Sequence, residues 1–240
     1  MTNHRMTRCP VLFEDEHLIV INKPEGVLSH PNPGHPGATS AFEGNYDLAE
    51  RKFEIPGSPL WLIHRLDQDT SGILLAAKNG KSAKICREAF EKREVEKDYV
   101  ALVSRKPMPP QGQWRDSLVE RRMGSSVRTA IGRSGPPNAF LTYKMKEFFP
   151  KFNLSLTEFR LVTGKTHQIR VQSVYHGHPI AGDRIYGNFG LNKELRDALG
   201  LKRLFLHAWR LLIKHPASGQ LLEIESLLPD DLENCFLRLK

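Results

Sequence analysis

The chain has 240 residues, 40% hydrophobic and 26% charged, enough to bury a sizeable core in one large domain or two small ones. Its 35 Lys and Arg against 27 Asp and Glu give a net charge of +8, a surplus that points toward polyanions, nucleic acid first. No apolar run approaches the roughly 18 residues that span a membrane, and the N-terminus lacks the apolar core of a signal peptide. Three widely spaced cysteines (Cys9, Cys86, Cys235) give neither a disulfide framework nor a zinc site and suit a reducing cytoplasm.

Val11-Leu12-Phe13 and Leu18-Ile19-Val20-Ile21 flank Glu14-Asp15-Glu16-His17, which predicts a strand hairpin with an acidic turn, ended by Asn22 to Gly26. From Ser29 to Pro59 the chain is rich in Pro, Gly and polar residues. It reads as a long excursion with a short helix near Tyr46 to Lys52, either a surface loop or a substrate-contacting flap. Leu60-Trp61-Leu62-Ile63 and Ile73-Leu74-Leu75-Ala76-Ala77 read as buried strands. Between them runs His64-Arg65-Leu66-Asp67-Gln68-Asp69-Thr70-Ser71-Gly72, a charged connection held by the core, where chemistry is usually placed. Ile85, Cys86, Ala89 and Phe90 fall at helical spacing in Ser82 to Arg93. Lys97 to Val103 is rich in strand formers, with Tyr99, Ala101 and Val103 on one face.

Between 104 and 138, seven basic residues (Arg105, Lys106, Arg115, Arg121, Arg122, Arg128, Arg133) meet two acids, Asp116 and Glu120. This is either a solvated, mobile surface or a phosphate-contacting arm. Ala139 to Glu147 and Phe152 to Val162 predict two more strands around Phe149-Pro150-Lys151. A second charged stretch follows, Thr163-Gly164-Lys165-Thr166-His167-Gln168-Ile169-Arg170-Val171. It is not a nucleotide-binding P-loop, because Phe159 stands where that pattern needs a glycine. A turn at Thr163-Gly164 and a helix capped near Thr166 are expected, running to about His176 and ended by Gly177, with Val171, Val174 and Tyr175 as the apolar stripe. His176 and His178 flank Gly177 and read as a helix-ending loop rather than a metal site. Leu204 to Ile213 and Leu221 to Glu225, joined through His215-Pro216-Ala217-Ser218-Gly219, carry a hairpin signature. Many strands and few helices, without regular alternation, predict an α+β class around a largely antiparallel sheet.

Three motifs in order, His64-Arg65-Leu66-Asp67-x-x-Thr70-Ser71-Gly72, Lys97-x-Tyr99 and Thr163-Gly164-Lys165-x-His167-Gln168-Ile169-Arg170-Val171, resemble those of the RluA-type pseudouridine synthases. Asn22-Lys23-Pro24-x-Gly26, Gly177-x-Pro179-Ile180-x-Gly182-Asp183-x-x-Tyr186-Gly187 and Leu206-His207-Ala208 resemble further blocks of that family. The resemblance runs from about 11 to 229 and implies one catalytic domain over 1–240, without the S4-type RNA-binding domain that some relatives carry. Lys165 stands where the family often has arginine, which keeps charge but not a bidentate contact, and Gln172 where many relatives have histidine. The implied fold is a mixed, largely antiparallel sheet in two side-by-side halves with a catalytic cleft between them.

By the same resemblance, the reaction is the isomerisation of a uridine in folded ribosomal or transfer RNA. It breaks the C1′–N1 bond, turns the uracil and rejoins it through C5, a balance that needs no redox cofactor and no metal. Glycosidic cleavage builds positive charge on the sugar, which a carboxylate stabilises or traps. The resemblance makes Asp67 that carboxylate, attacking C1′ or removing a C2′ proton, with Arg170 keeping it ionised and Tyr99 stacking on the uracil and serving proton transfer at C5. The target base must be flipped out, and Arg65 either enters the vacated space or pairs with Asp67 or Asp69. His64, Lys97, Arg121, Arg122, Arg128, Lys165, His167 and Gln168 complete the expected RNA contacts. A monomer is expected. The competing classes are an inert RNA-binding module and a metal-dependent nuclease using Asp67 and Asp69 as ligands.

Overall fold

Burial separates the strand candidates into two kinds. Ser71–Ala77 is buried at all seven positions, the pattern of a central strand covered on both faces, whereas Ala139–Phe149 alternates buried and open residues as a half-solvated strand does. A computed structural model describes residues 6–32, 37–123 and 126–240. In chain order the elements are β1 (Val11–Glu14), β2 (Leu18–Lys23), β3 (Asn45–Asp47), β4 (Lys52–Glu54), β5 (Leu60–Leu62), β6 (Ser71–Ala77) and α1 (Gly80–Glu91). Then come β7 (Glu96–Ser104), β8 (Gln111–Asp116), β9 (Leu118–Met123), β10 (Ser126–Ile131), β11 (Ala139–Phe149), β12 (Leu154–Leu161) and α2 (Gln168–Tyr175). The chain closes with α3 (Phe189–Leu199), β13 (Leu206–Lys214), β14 (Leu221–Glu225) and α4 (Asp230–Leu237). The class is α+β, as expected.

Two compact units divide the chain: residues 1–96 with 209–227, and residues 97–208 with 228–240. In the first, antiparallel pairings join β3, β4, β5, β6, β2 and β1 in that order, and β13 pairs β14 as the predicted hairpin. Its core gathers Leu18, Val20, Ile73, Leu75, Leu211, Ile213 and Ile224, covered by Ala83 and Cys86 of α1. Asn79 caps that helix by accepting from the Ser82 N–H (2.8 Å). Ile85, expected in the core, is 38% exposed instead, and Ala83, one turn away from Cys86, takes its place.

The helix expected near Tyr46 to Lys52 is a hairpin, β3 to β4. Asp47 Oδ1 accepts from the N–H groups of Ala49 (2.8 Å) and Glu50 (3.0 Å), and Arg51 turns left-handed (φ 52°), so the chain reverses before a helical turn can propagate. Residues 33–36 of the proline-rich excursion lie outside the described ones.

In the second unit β7, β12, β11 and β8 pair antiparallel in that order, and β9 pairs β10 as a separate hairpin. The arm expected between 104 and 138 is therefore mostly strand. A larger core forms around Leu102, Leu154, Phe205, Leu195, Leu199 and Leu232, with α3 and α4 over it. A smaller cluster of Leu118, Ala139 and Val171, with Ile131 and Tyr186 against it, fastens the hairpin base to α2. The end of α2 is as expected: Gly177 is left-handed (φ 82°), its N–H reaches Val174 O (3.0 Å), and the His178 N–H reaches Ser173 O (2.7 Å), a Schellman close. The apolar stripe is not. Val174 and Tyr175 are 38% and 59% exposed, and α2 buries Gln168, Ile169, Arg170, Val171, Gln172 and Ser173. A mostly polar face turns inward because partners wait for it there.

Candidate active site

The Asp67 loop belongs to the first unit. It leaves β5, and the Ile63 N–H still bonds Leu75 O (3.2 Å). The next residue, His64, stacks on Phe90 of α1 (centroids 5.2 Å apart, planes 19°) and accepts the Leu75 N–H at Nε2 (3.2 Å). That bond places the imidazole proton on Nδ1 and makes His64 a brace between loop, helix and sheet. Leu66, just before Asp67, is buried, and the buried Ser29 hydroxyl grips both its polar groups. It donates to Leu66 O (2.8 Å) and accepts from Leu66 N (2.9 Å).

The residue after Asp67 is held as firmly. Gln68 O accepts from the Gly26 N–H (2.9 Å) and from Lys23 Nζ (3.2 Å), and Gln68 Nε2 donates to Gly26 O (3.0 Å). The Lys23 side chain is fully buried, and its ammonium also donates to Pro24 O (2.9 Å) and Val27 O (2.8 Å). A buried ammonium is tolerable only when its donors are satisfied in this way. The Thr70 N–H then donates to Asp67 O (3.1 Å), closing a turn that leads into β6, whose second residue is Gly72 (φ 115°). Asp67 is thus half-buried between two clamped neighbours. Arg65 is exposed. It lies close enough to His30 and Tyr46 to act on both electrostatically. Burial first, then the Arg65 and Arg51 charges, hold His30 below the ordinary histidine value. His30 and Tyr46 are themselves stacked, with centroids 4.7 Å apart.

The other motif residues lie in the second unit. Tyr99 is buried on β7, opposite Phe159 of β12. Lys97, two residues earlier, is half-buried, and loss of solvent pulls its ammonium below the ordinary lysine value. Gln168, the first residue of α2, is buried with its amide engaged within the protein. Oε1 accepts from Thr163 Oγ1 (2.8 Å) and Lys165 N (3.1 Å), and Nε2 donates to Phe140 O (3.1 Å). Gln168 therefore shapes the turn rather than presenting itself to solvent. His167 takes the left-handed conformation (φ 53°), uncommon outside glycine, while Lys165 is exposed.

Arg170 is 1% exposed and makes a two-pronged ion pair with Asp183, Nε to Oδ2 at 2.8 Å and an Nη to Oδ1 at 2.9 Å. Asp183 Oδ1 also accepts from the N–H groups of Ile185 (2.8 Å) and Tyr186 (3.0 Å). Burial pushes the Asp183 carboxyl up, but Arg170 and those two N–H groups outweigh it and hold it below the ordinary aspartate value. The glycines on either side are required. A Cβ on Gly182 (φ 77°) would run into Arg203 O, and one on Gly187 into Asp183 O. Nearby, Asp116 accepts from Gln172 Nε2 (2.6 Å) and bonds His176 Nε2 (3.0 Å), and His176 stacks on Trp114 at 4.5 Å. Lys23, Ser29, Asp183 and Tyr186 were not among the expected site residues. Lys23, Asp183 and Tyr186 stood in motif blocks as polar residues among apolar and glycine ones, the available signal, and Ser29 had none.

On the β9–β10 hairpin, Arg121 and Arg128 are exposed and stand directly opposite each other, a like-charge pair. The Arg122 side chain lies outside the described residues.

Residues 17–174 match the RNA pseudouridylate synthase family. The chain is 36% identical over 240 residues to the ribosomal large subunit pseudouridine synthase C of Escherichia coli, covering 96% of this chain and 70% of that protein. The Yersinia pestis protein of the same name is 37% identical over 239 residues, covering 96% and 69%. Among solved structures, human RNA pseudouridylate synthase domain containing 4 superposes with a TM-score of 0.69 at 25% identity, over 95% of this chain and 92% of that one. Human RNA pseudouridylate synthase domain containing 1 gives 0.70 at 23% identity, over 98% and 90%. A buried arginine–aspartate clamp, a carboxylate on a pinned loop and these likenesses agree: the chain belongs to the RNA pseudouridylate synthase family and is an RNA pseudouridine synthase of the RluA type.

Proposed function

We propose that this enzyme isomerises one uridine of ribosomal large-subunit RNA, with Asp67 acting on the sugar, Tyr99 on the base and Arg170 keeping the Asp67 carboxylate ionised. The observation that carries the reading is the clamping of Leu66 and Gln68, the residues on either side of Asp67, by Ser29, Gly26 and Lys23. A loop that merely connected two strands would not need a buried serine and a buried lysine to fix its backbone. A carboxylate that must meet a sugar carbon within a few tenths of an ångström does. The choice of ribosomal RNA rests on the names of the relatives.

The carboxylate has two routes to the same product. It attacks C1′ as N1 departs, and C5 of the turned uracil then displaces it from C1′; or it takes the C2′ proton as N1 departs, leaving a glycal, and returns that proton to C2′ as C5 bonds to C1′. In both, C5 forms the new bond to C1′ and loses its proton, N1 gains one, and the product is an isomer of the reactant. Tyr99 stacks on the uracil and passes the C5 proton. Exposed Arg65 fills the space left by the flipped nucleotide, and Arg121, Arg122, Arg128 and Lys165 contact phosphates.

The test is pseudouridine mapping on large-subunit RNA with the wild-type enzyme and Asp67→Ala. The variant is expected to form no product while binding RNA within about threefold of wild type. Retained turnover removes Asp67 from the chemistry, and absence of any mapped site for the wild type removes ribosomal RNA as the substrate.

A further inference from the structure

Arg170 is surrounded by more than one partner, and the partners form a chain of contacts. Asp183 holds its guanidinium in the two-pronged pair. The Tyr186 ring lies over the same guanidinium, with Arg170 Cζ 5.4 Å from the ring centroid. The Tyr186 N–H bonds Asp183 Oδ1, so ring and carboxylate are set by one short turn. Beyond the ring, the Tyr186 hydroxyl accepts the backbone N–H of Thr129 on β10 (3.1 Å) and meets His167 Nδ1 at 2.9 Å. His167 itself is left-handed (φ 53°) and is the residue from which α2 starts. The basic hairpin, the first residue ahead of α2 and the guanidinium of Arg170 therefore converge on one tyrosine, and Ile131 and Tyr186 pack on the same small cluster as Val171.

We propose that Asp183 and Tyr186 are positioning residues for Arg170, and that the Tyr186 hydroxyl locks the β9–β10 hairpin to that bracket. The hairpin carries the opposed Arg121 and Arg128, so RNA that engages it bears directly on the element holding Arg170 in register. Nothing in this requires either residue to touch the substrate. Asp183 is fully buried behind Arg170, and the Tyr186 hydroxyl is engaged within the second unit. The proposal rests on Arg170 serving the reaction.

Single-turnover pseudouridine formation and RNA affinity, measured separately, test it. Asp183→Asn keeps an acceptor for the two backbone N–H groups but removes the charge; it is expected to slow the chemical step at least about 30-fold and leave RNA affinity within about threefold. Tyr186→Phe keeps the ring and loses the hydroxyl; it is expected to slow the step about fivefold or more and to speed amide hydrogen exchange at Thr129. Arg170→Lys supplies the reference. If Asp183 acts only through Arg170, adding Asp183→Asn to Arg170→Lys slows the reaction little further. Full activity of Arg170→Lys would overturn the reading of Arg170 itself. An inactive Arg170→Lys beside a fully active Asp183→Asn, or additive losses in the double variant, would overturn only the bracket. Unchanged Thr129 exchange in Tyr186→Phe would overturn the lock.

Discussion

Ser29→Ala isolates what the clamped loop contributes to catalysis. The hydroxyl makes two hydrogen bonds to the backbone of Leu66, at 2.8 and 2.9 Å, and both groups are buried. Removing it leaves a buried N–H and a buried C=O unmatched, at about 1–2 kcal/mol each on mutational scales, or about 2–4 kcal/mol together. The remaining clamp on Gln68 is untouched, so the loss falls on the N-terminal side of Asp67. At 1.4 kcal/mol per factor of ten, a loop that bears the whole penalty in reaching its reactive geometry slows the chemical step about 30- to 1000-fold. The assay is single-turnover pseudouridine formation at saturating enzyme, with RNA affinity and thermal melting measured alongside. Thr39→Ala, an exposed position in the same excursion, serves as the control. Loss of rate with nearly unchanged affinity is the expected result. A rate within twofold of wild type in a folded Ser29→Ala protein would refute the argument that Asp67 depends on a pinned backbone.

Two further outcomes follow from charge. Neutralising Arg121, Arg122 and Arg128 together is expected to reduce the slope of log K against log salt for RNA binding by about two to three, at roughly 0.7–0.9 per phosphate contact; an unchanged slope takes the hairpin out of the RNA interface. Asp183 has a folded pKa held below its unfolded value, so its ion pair contributes fully above about pH 4 and is lost as the pH falls through the lowered folded value. The melting-temperature gap between wild type and Asp183→Asn should stay constant from pH 7 to about pH 4 and close only below it; a gap that closes between pH 7 and pH 5 would contradict that assignment.

Most of the sheet was legible because its signal is local. β2 and β6 are apolar runs buried on both faces, and no partner need be known to read them. The hairpins β1–β2 and β13–β14 were legible for the same reason, with turn residues between two runs. The excursion failed where a side chain overrode composition: Leu48, Ala49 and Glu50 are helix formers, but the Asp47 carboxylate takes the N–H groups of Ala49 and Glu50 and Arg51 turns the chain back. The β8 to β10 region failed because its strands carry exposed arginine in place of alternating apolar residues.

The misread face of α2 marks the limit of periodicity more sharply. The stripe rule takes burial and apolarity to be the same thing, and on this helix they separate. Gln168, Arg170 and Gln172 go inward because Thr163, Asp183 and Asp116 meet them, and the acceptors for Arg170 and Gln172 lie 13 and 56 residues away in sequence. Only the fold brings them together. Such burial is not a route to stability in itself, since a buried ion pair recovers its desolvation cost only with close geometry, and apolar residues of similar volume often do as well or better. A helix assembled for packing alone would have kept Val174 and Tyr175 inside. The inward arginine is fixed by a two-pronged carboxylate, a ring above it and two glycines that let the turn close, the arrangement expected if Arg170 serves the reaction as proposed.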